Sequence, residues 1–409
     1  MNSFTPSTDT RAIINALLDM FERRDSSSTR TIKVKLNEMN LPAYFSQQDP
    51  EPRMIANQQM RSLADSKLIQ FKWIAGEENH LLDSVTLAVR PAPAALYTLI
   101  QRVPIANQRS QLESLLLADK FRFSSDDWRA RALNQILDKL RAGKSPSPFS
   151  LSASDFNSDL LAALLALSTL QTETPYRVFS VRVFNDSKRF DELRPALVRL
   201  ARRANAEWKS LANEDLLCEL NLVANPGYIH LSGNWQFTAV DGEVLSLNGF
   251  SPSIGFPAAQ IASIQSATVH ADAVVCIENL TSFHEFIRRA SPATPRAVIC
   301  LMGNPSPATR RLLCLLPETV PTYLWSDLDY GGFNILSQLR RTVNEHIQSY
   351  SMDIQTIESN IPRARPLTPT DRANLKRLLL RPELRDVCPV IEHLLERGLK
   401  LEQEGVEVL

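Results

Sequence analysis

The pattern that organises this chain lies in its last third. Three apolar, β-branched runs, 273–277, 296–303 and 322–325, alternate with two segments of helical length, 282–290 and 307–316. Short apolar runs without an exposed face, separated by helices, predict a parallel sheet buried on both sides in βαβαβ order. The first run stops at Glu278-Asn279 and the third at Asp327-Leu328-Asp329, with Gly331-Gly332 leading into a further helix over 333–343. In such sheets the strand C-termini share one edge, where ligands bind. The pattern therefore predicts that Glu278, Asp327 and Asp329 meet at one mouth.

Earlier segments read differently. A helix through residue 24, capped at Thr8 or Asp9, places Ile13, Leu17, Leu18 and Phe21 on one face, and the polar cluster 25–29 ends it. A short helix over 32–39, a third over 53–66 and a hairpin of 68–74 with 84–89 complete a winged helix-turn-helix order. Its third helix carries Arg53, Gln58, Gln59 and Arg61. That helix serves either a DNA groove or a protein partner. Pro91 and Pro93 mark a boundary, 94–143 reads as helices, and the Pro- and Ser-bearing stretch 144–154 as a linker. A helix to 170, a strand over 177–184 and a basic helix over 190–205 follow. The expected architecture is multidomain α/β: a winged-helix module (1–93), a helical arm and linker (94–150), a central DNA-binding domain (151–265) and a catalytic domain with C-terminal helices (266–409).

Three convergent carboxylates with no balancing lysine at the same turns suit a hard divalent cation, most simply Mg²⁺. Asp327 and Asp329, two apart on extended backbone, point the same way. Single acids at such turns also serve as helix caps, so the weight rests on the joint pattern.

The wording of two stretches, 277–283 (IENLTSF) and 325–333 (WSDLDYGGF), with 176–190 upstream, resembles the Toprim nuclease subunits of Wadjet plasmid-defence systems. The Toprim fold is shared with type IIB topoisomerases, whose A subunit also carries a winged-helix (CAP-like) domain. The resemblance implies a homodimeric, metal-dependent endonuclease acting on closed circular double-stranded DNA with a condensin-like SMC complex. It implies Glu278, Asp327 and Asp329 as catalytic metal ligands, Glu402 or Glu404 completing the site, and two Mg²⁺ or Mn²⁺ ions. Topoisomerases of this kind use a nucleophilic tyrosine. None of the seven tyrosines here stands in that wording, and Tyr176 is the one best placed by position. Hydrolysis is expected; covalent transesterification by tyrosine, or a non-catalytic DNA clamp, are the rivals.

Charge refines this picture. The chain is neutral, with 45 bases and 45 acids among 409 residues, but 177–209 holds nine bases against four acids. Arg182, Lys188 and Arg189 fall there as candidate phosphate contacts, the other possibility being a solvated helix face. A second basic stretch spans 363–385. Five scattered cysteines and six scattered histidines give neither disulfide nor zinc spacing and fit a reducing bacterial cytoplasm. No apolar run reaches membrane-spanning length, and no signal peptide is evident. Gly143-Lys144-Ser145 echoes a P-loop, but Asp138 stands where its first glycine belongs.

Overall fold

The computed structural model describes residues 4–24, 30–88, 92–289 and 296–406. The polar cluster at 25–29 and the Pro91 boundary lie outside them. Two compact units emerge: 1–124 with 133–154, and 125–132 with 155–409.

The first unit contains α1 (Thr8–Glu22), β1 (Lys33–Lys35), α2 (Glu51–Asp65), β2 (Ile69–Trp73), β3 (Leu82–Leu87), α3 (Ala92–Leu99) and α4 (Ile105–Lys120). The division between the units falls within α5 (Trp128–Arg141). Ser7, not Thr8 or Asp9, caps α1, its hydroxyl accepting from the Thr10 amide. The strands form an antiparallel sheet in the order β1-β3-β2. The helix expected over 32–39 is instead β1 and its flanks. Ile32, Val34 and Leu36 are buried while Lys33 and Lys35 are exposed, a period of two that only a strand satisfies. The Tyr44 hydroxyl donates to Asn57 (2.7 Å) and accepts from the Leu82 amide (2.9 Å), joining a loop, α2 and β3 inside the core.

The second unit opens with α6 (Ser154–Ala166), β4 (Thr174–Pro175), α7 (Tyr176–Phe184), α8 (Arg189–Ala204), α9 (Asn213–Glu219) and β5 (Leu222–Val223). The strand expected over 177–184 is the helix α7. Tyr176, Phe179 and Ser180 are buried at helical spacing, Val178 and Val181 face outward, and Asn185 ends the helix at φ 55°. Its β-branched residues lie on the exposed side, where packing does not oppose the helix.

Next come β6 (Tyr228–Ser232), β7 (Trp235–Ala239), β8 (Val244–Ser246), β9 (Ile254–Pro257), β10 (Ile264–Val269), β11 (Ala273–Ile277) and α10 (Leu280–Arg289). They lead to β12 (Arg296–Cys300), α11 (Pro307–Cys314), β13 (Thr322–Trp325), α12 (Tyr330–Thr342) and β14 (Gln348–Ser349). The chain closes with α13 (Ile354–Ser359), β15 (Arg365–Pro366), α14 (Pro369–Leu378), α15 (Cys388–Arg397) and β16 (Leu399–Lys400). The central sheet has the order β14-β13-β11-β12-β6-β9. Its first four strands are parallel, as the alternation of runs and helices predicts. The sheet as a whole is mixed, because β6 and β9 extend it antiparallel. Antiparallel neighbours need no helical crossover, so these strands, joined through β7 and β8 of a second sheet, left no βα alternation to read. On one face Val274, Cys276, Ala297, Ile299 and Leu324 join the main core, and on the other Val275, Ile277, Val298, Cys300 and Trp325 pack on Phe283 and Phe286 of α10. No helix among the described residues is long and apolar enough to cross a membrane.

Candidate active site

Parallel register sets the site. Ile277 lies opposite Trp325, so Glu278 and the 326–329 segment leave neighbouring strands side by side. The Glu278 amide donates to the Trp325 carbonyl (3.1 Å), and the Asp327 amide donates to Glu278 Oε2 (3.2 Å). Residues forty-nine positions apart are thus held in direct contact. On the other side, Leu328 and Leu401 exchange backbone hydrogen bonds of 2.8 and 3.2 Å. This bridge brings the chain's last turn to the strand ends, and the Gln403 amide donates to Asp327 Oδ1 (2.7 Å).

Gln403 is the residue the sequence did not reveal. Its side chain is buried, its Nε2 donates to the Trp325 carbonyl (2.8 Å), and its Oε1 accepts from the Asn279 amide (3.2 Å). It therefore ties both strand ends together. The signal was a glutamine flanked by Leu401 and two glutamates, and the glutamates drew the attention.

The electrostatics of the pair are unfavourable by construction. Glu278 is pushed up from 4.5 to about 7, first by burial and then by the charge of Asp327, with Asp329 and Glu404 adding to it. Asp327 is pushed up from 3.8 to about 6 by burial and by Asp329, Glu404 and Glu402, against the Gln403 amide. The groups acting on both are acids and backbone amides, not bases. Two partly buried carboxyls on adjoining strand ends, one held by the other residue's backbone amide and each resisting ionisation, form a place where a divalent cation would relieve a standing cost.

The remaining acids are turned to other partners. Asp329 caps α12, accepting from the Gly332 amide (3.0 Å). Glu402 pairs with Arg365, and Glu404 accepts from Asn279 Nδ2 (2.5 Å). Among the described residues no three His, Cys, Asp or Glu side chains are gathered as a ready-made metal cage. The donor chemistry nevertheless fits a hard cation at Glu278 and Asp327, with Asp329 and Glu404 close enough to act on their charge.

Gly332 has a steric reason for being glycine. A Cβ there would stand 2.0 Å from the Asp327 carbonyl oxygen and 2.5 Å from Ser326 Oγ. The first turn of α12 presses directly on the backbone that carries Asp327.

The candidate DNA contacts divide. Arg182 and Lys188 are exposed, whereas Arg189 is engaged by Asp159 (2.7 Å) and Glu192 (2.5 Å). Arg53 reaches the Ser46 carbonyl (3.5 Å), and Arg61 binds Asn79 (2.9 Å) and lies over the Trp73 ring. Gln58 is exposed, but Gln59 accepts from the Ser7 amide and donates to the Thr5 carbonyl, a structural tie. In the 363–385 stretch, Arg372 and Arg381 bond Leu395, Asn334 and Ser337 within the fold. Tyr176 is buried beneath the Arg194 guanidinium, and burial holds its phenol above the usual range.

Fold and site together define a multidomain α/β protein whose candidate chemistry sits in a carboxylate pair at the C-terminal ends of adjacent parallel strands. Residues 230–409 match the family model for the C-terminal region of the Wadjet protein JetD. The chain is also 23% identical over 408 residues to the Wadjet protein JetD of Bacillus cereus (strain Q1), covering 96% of this chain and 97% of that protein. The chain is thus similar to JetD proteins, over residues 230–409 by the family model and along nearly its whole length by the relative.

Proposed function

We propose that this protein is the nuclease subunit of a Wadjet plasmid-defence system, a metal-dependent endonuclease for closed circular double-stranded DNA. The observation that carries the proposal is the contact of the Asp327 amide with the Glu278 carboxylate across two parallel strand ends, both carboxyls resisting ionisation because of burial and of the acids around them. The reading includes a Toprim-type catalytic region over 266–409, a CAP-like winged-helix domain over 151–265, a helical arm over 94–150 and a winged helix over 1–93. In the first unit, the order α1-β1-α2-β2-β3, two helices with a three-stranded antiparallel sheet, supports that last assignment. Arg182 and Lys188, exposed and unequally matched by acids nearby, are its phosphate contacts, with Arg53 and Arg61 a further set.

Glu278 and Asp327 would hold Mg²⁺ or Mn²⁺, with Asp329, Glu402 or Glu404 available to a second ion. A bound divalent cation supplies charge neutralisation for the phosphodiester and an activated water. The chain's own contribution is positional: Gln403 fixes Asp327 and both strand ends, and Gly332 lets α12 close on the same loop. Cutting both strands calls for two such centres, hence a homodimer, which a condensin-like complex would load onto DNA in the bacterial cytoplasm.

The test is cleavage of supercoiled plasmid by the full chain, alone and with the condensin-like complex of its own system, in Mg²⁺, Mn²⁺ or EDTA. Nicked and linear products are expected with metal and not in EDTA, and Asp327→Asn should abolish them. Undiminished cutting by that variant would refute the assignment. The tyrosine reading has little support, since Tyr176 is packed under Arg194.

A further inference from the structure

The antiparallel sheet of the first unit has two unlike faces. Across β1, β3 and β2 the register gives the row Val34–Val85–Phe71 on one side, and the rows Lys33–Thr86–Gln70 and Lys35–Ser84–Lys72 on the other. Val34 and Val85 are buried in the core of the unit, and Phe71 packs against it. On the opposite face Lys33, Lys35, Gln70 and Lys72 are exposed. The three strands together hold three lysines and a single acid, Asp83.

Asp83 is engaged twice, lying 3.9 Å from Lys33 Nζ and accepting from the Ser84 hydroxyl (2.9 Å). Lys35 and Lys72 have no hydrogen-bond or ion-pair partner among the described residues. Neighbouring strands stand about 4.8 Å apart, and alternate residues of one strand about 6.8 Å. The three lysines are thus rooted in a patch about 10 Å by 7 Å on a regular sheet. A B-form duplex carries one negative charge per about 1.7 Å of its axis, so a patch of this width faces several phosphates. The helix α2 offers less. Its exposed residues are Glu51, Met54, Ile55, Gln58, Arg61 and Asp65, two acids against one base, and Arg61 is already bound to Asn79.

We propose that the lysine-bearing face of this sheet docks the phosphate backbone of duplex DNA, and that the sheet, more than α2, is the DNA-facing surface of the N-terminal module. This deepens the proposed function, resting on that reading for DNA as the polyanion and on the sheet for where the DNA lies. An acidic protein would also meet the charge. The exposed residues of this face include no apolar side chain, however, and so lack the apolar centre of a protein interface. Phosphate contacts carry no base identity, so the face holds duplex of any sequence.

The experiment uses the full chain in EDTA with a short linear duplex. Lysine acetylation is read by mass spectrometry with and without duplex, and Lys144, exposed in the same unit, serves as the internal control. Duplex should protect Lys33, Lys35 and Lys72 and leave Lys144 reactive. In anisotropy titrations, replacing the three together (Lys33→Gln, Lys35→Gln, Lys72→Gln) should lower the slope of log affinity against log salt by about 2–3. Between about 50 and 200 mM salt the wild type then loses roughly 15–60-fold more affinity than the variant. The melting curve of the variant should match the wild type, since all three side chains are exposed. Unprotected lysines, an unchanged slope or equal protection of Lys144 would overturn the proposal. Equal protection by polyglutamate at matched charge would also overturn it, by making an acidic protein the occupant. Protection by duplex in a chain that does not cut DNA in Mg²⁺ would support the docking face while defeating the endonuclease reading; metal-dependent cutting without protection would do the reverse.

Discussion

Replacing Glu278 by glutamine should make the metal-free protein more stable at neutral pH while removing its activity. Glu278 has a free value of 4.5 and a folded value of about 7. Between those values the folded chain holds a proton that the unfolded chain has lost. Stability therefore falls as pH rises through this window, and the loss is complete above about pH 7. Each tenfold change in proton affinity is worth about 1.4 kcal/mol, so ionising Glu278 in the fold costs on the order of 3 kcal/mol at most. Its partial exposure and its sharing of charge with Asp327 bring the expected gain in Glu278→Gln nearer to about 1–2 kcal/mol. Glutamine keeps an oxygen that can accept from the Asp327 amide, so the backbone contact at 3.2 Å survives. Urea denaturation in EDTA at pH 5 and pH 8 measures the effect. Wild type and variant should be close at pH 5 and separate at pH 8, with the variant ahead. Added Mg²⁺ should reverse the order, stabilising only the wild type by mass action. A variant destabilised equally at both pH values would show that Glu278 is an ordinary structural carboxylate and that no standing charge cost exists.

Three further outcomes are expected. Gly332→Ala needs the Asp327 carbonyl, 2.0 Å from the new Cβ, to move by more than about 1 Å to reach ordinary C···O separation. It should cost about 1–3 kcal/mol in thermal or urea denaturation and roughly a hundredfold in plasmid cleavage; a wild-type melting curve would contradict the close approach. Arg340 is buried, reaching the carbonyls of Ile347 and Glu383 and forking onto Asp386 at 2.6 and 2.8 Å, whereas Asp386 is 61% exposed. Arg340→Ala should therefore cost about 3–5 kcal/mol and Asp386→Ala about 1 kcal/mol, and equal losses in denaturation would refute this asymmetry. Tyr176→Phe should leave cleavage intact with no protein attached to DNA ends, and loss of cutting with loss of such adducts would revive the transesterase alternative.

What could be read from the sequence followed the strength of each local pattern. The runs at 273–277, 296–300 and 322–325 are buried on both faces, so nearly every residue is apolar and the strands stand out. Their parallel pairing follows from the helices between them. The carboxylate pair was legible for the same reason, since acids ending buried strands are conspicuous. Elements decided by packing were harder. In α7, β-branched residues on an exposed face imitate a strand, and only the buried Tyr176, Phe179 and Ser180 reveal the helical period. In β1, three residues give too little alternation to outweigh their flanks. The addition of β6 and β9 to the sheet depends on contacts more than sixty residues apart, between β6 and β12, which leave no local trace.

The identity of residue 403 shows how the two kinds of information combine. The position must donate to the Trp325 carbonyl and accept from the Asn279 amide at the same time, and among short polar side chains an amide does both. A carboxylate there would lack the donor and would add a further negative charge beside a pair already resisting ionisation. The acids on either side each have a partner of their own, Glu402 in Arg365 and Glu404 in the Asn279 side chain, although both still raise Asp327. Thus this acidic corner depends on a neutral residue for its geometry. Since that residue arrives through the Leu328–Leu401 bridge, the shape of the site is fixed only when the last turn of the chain is docked.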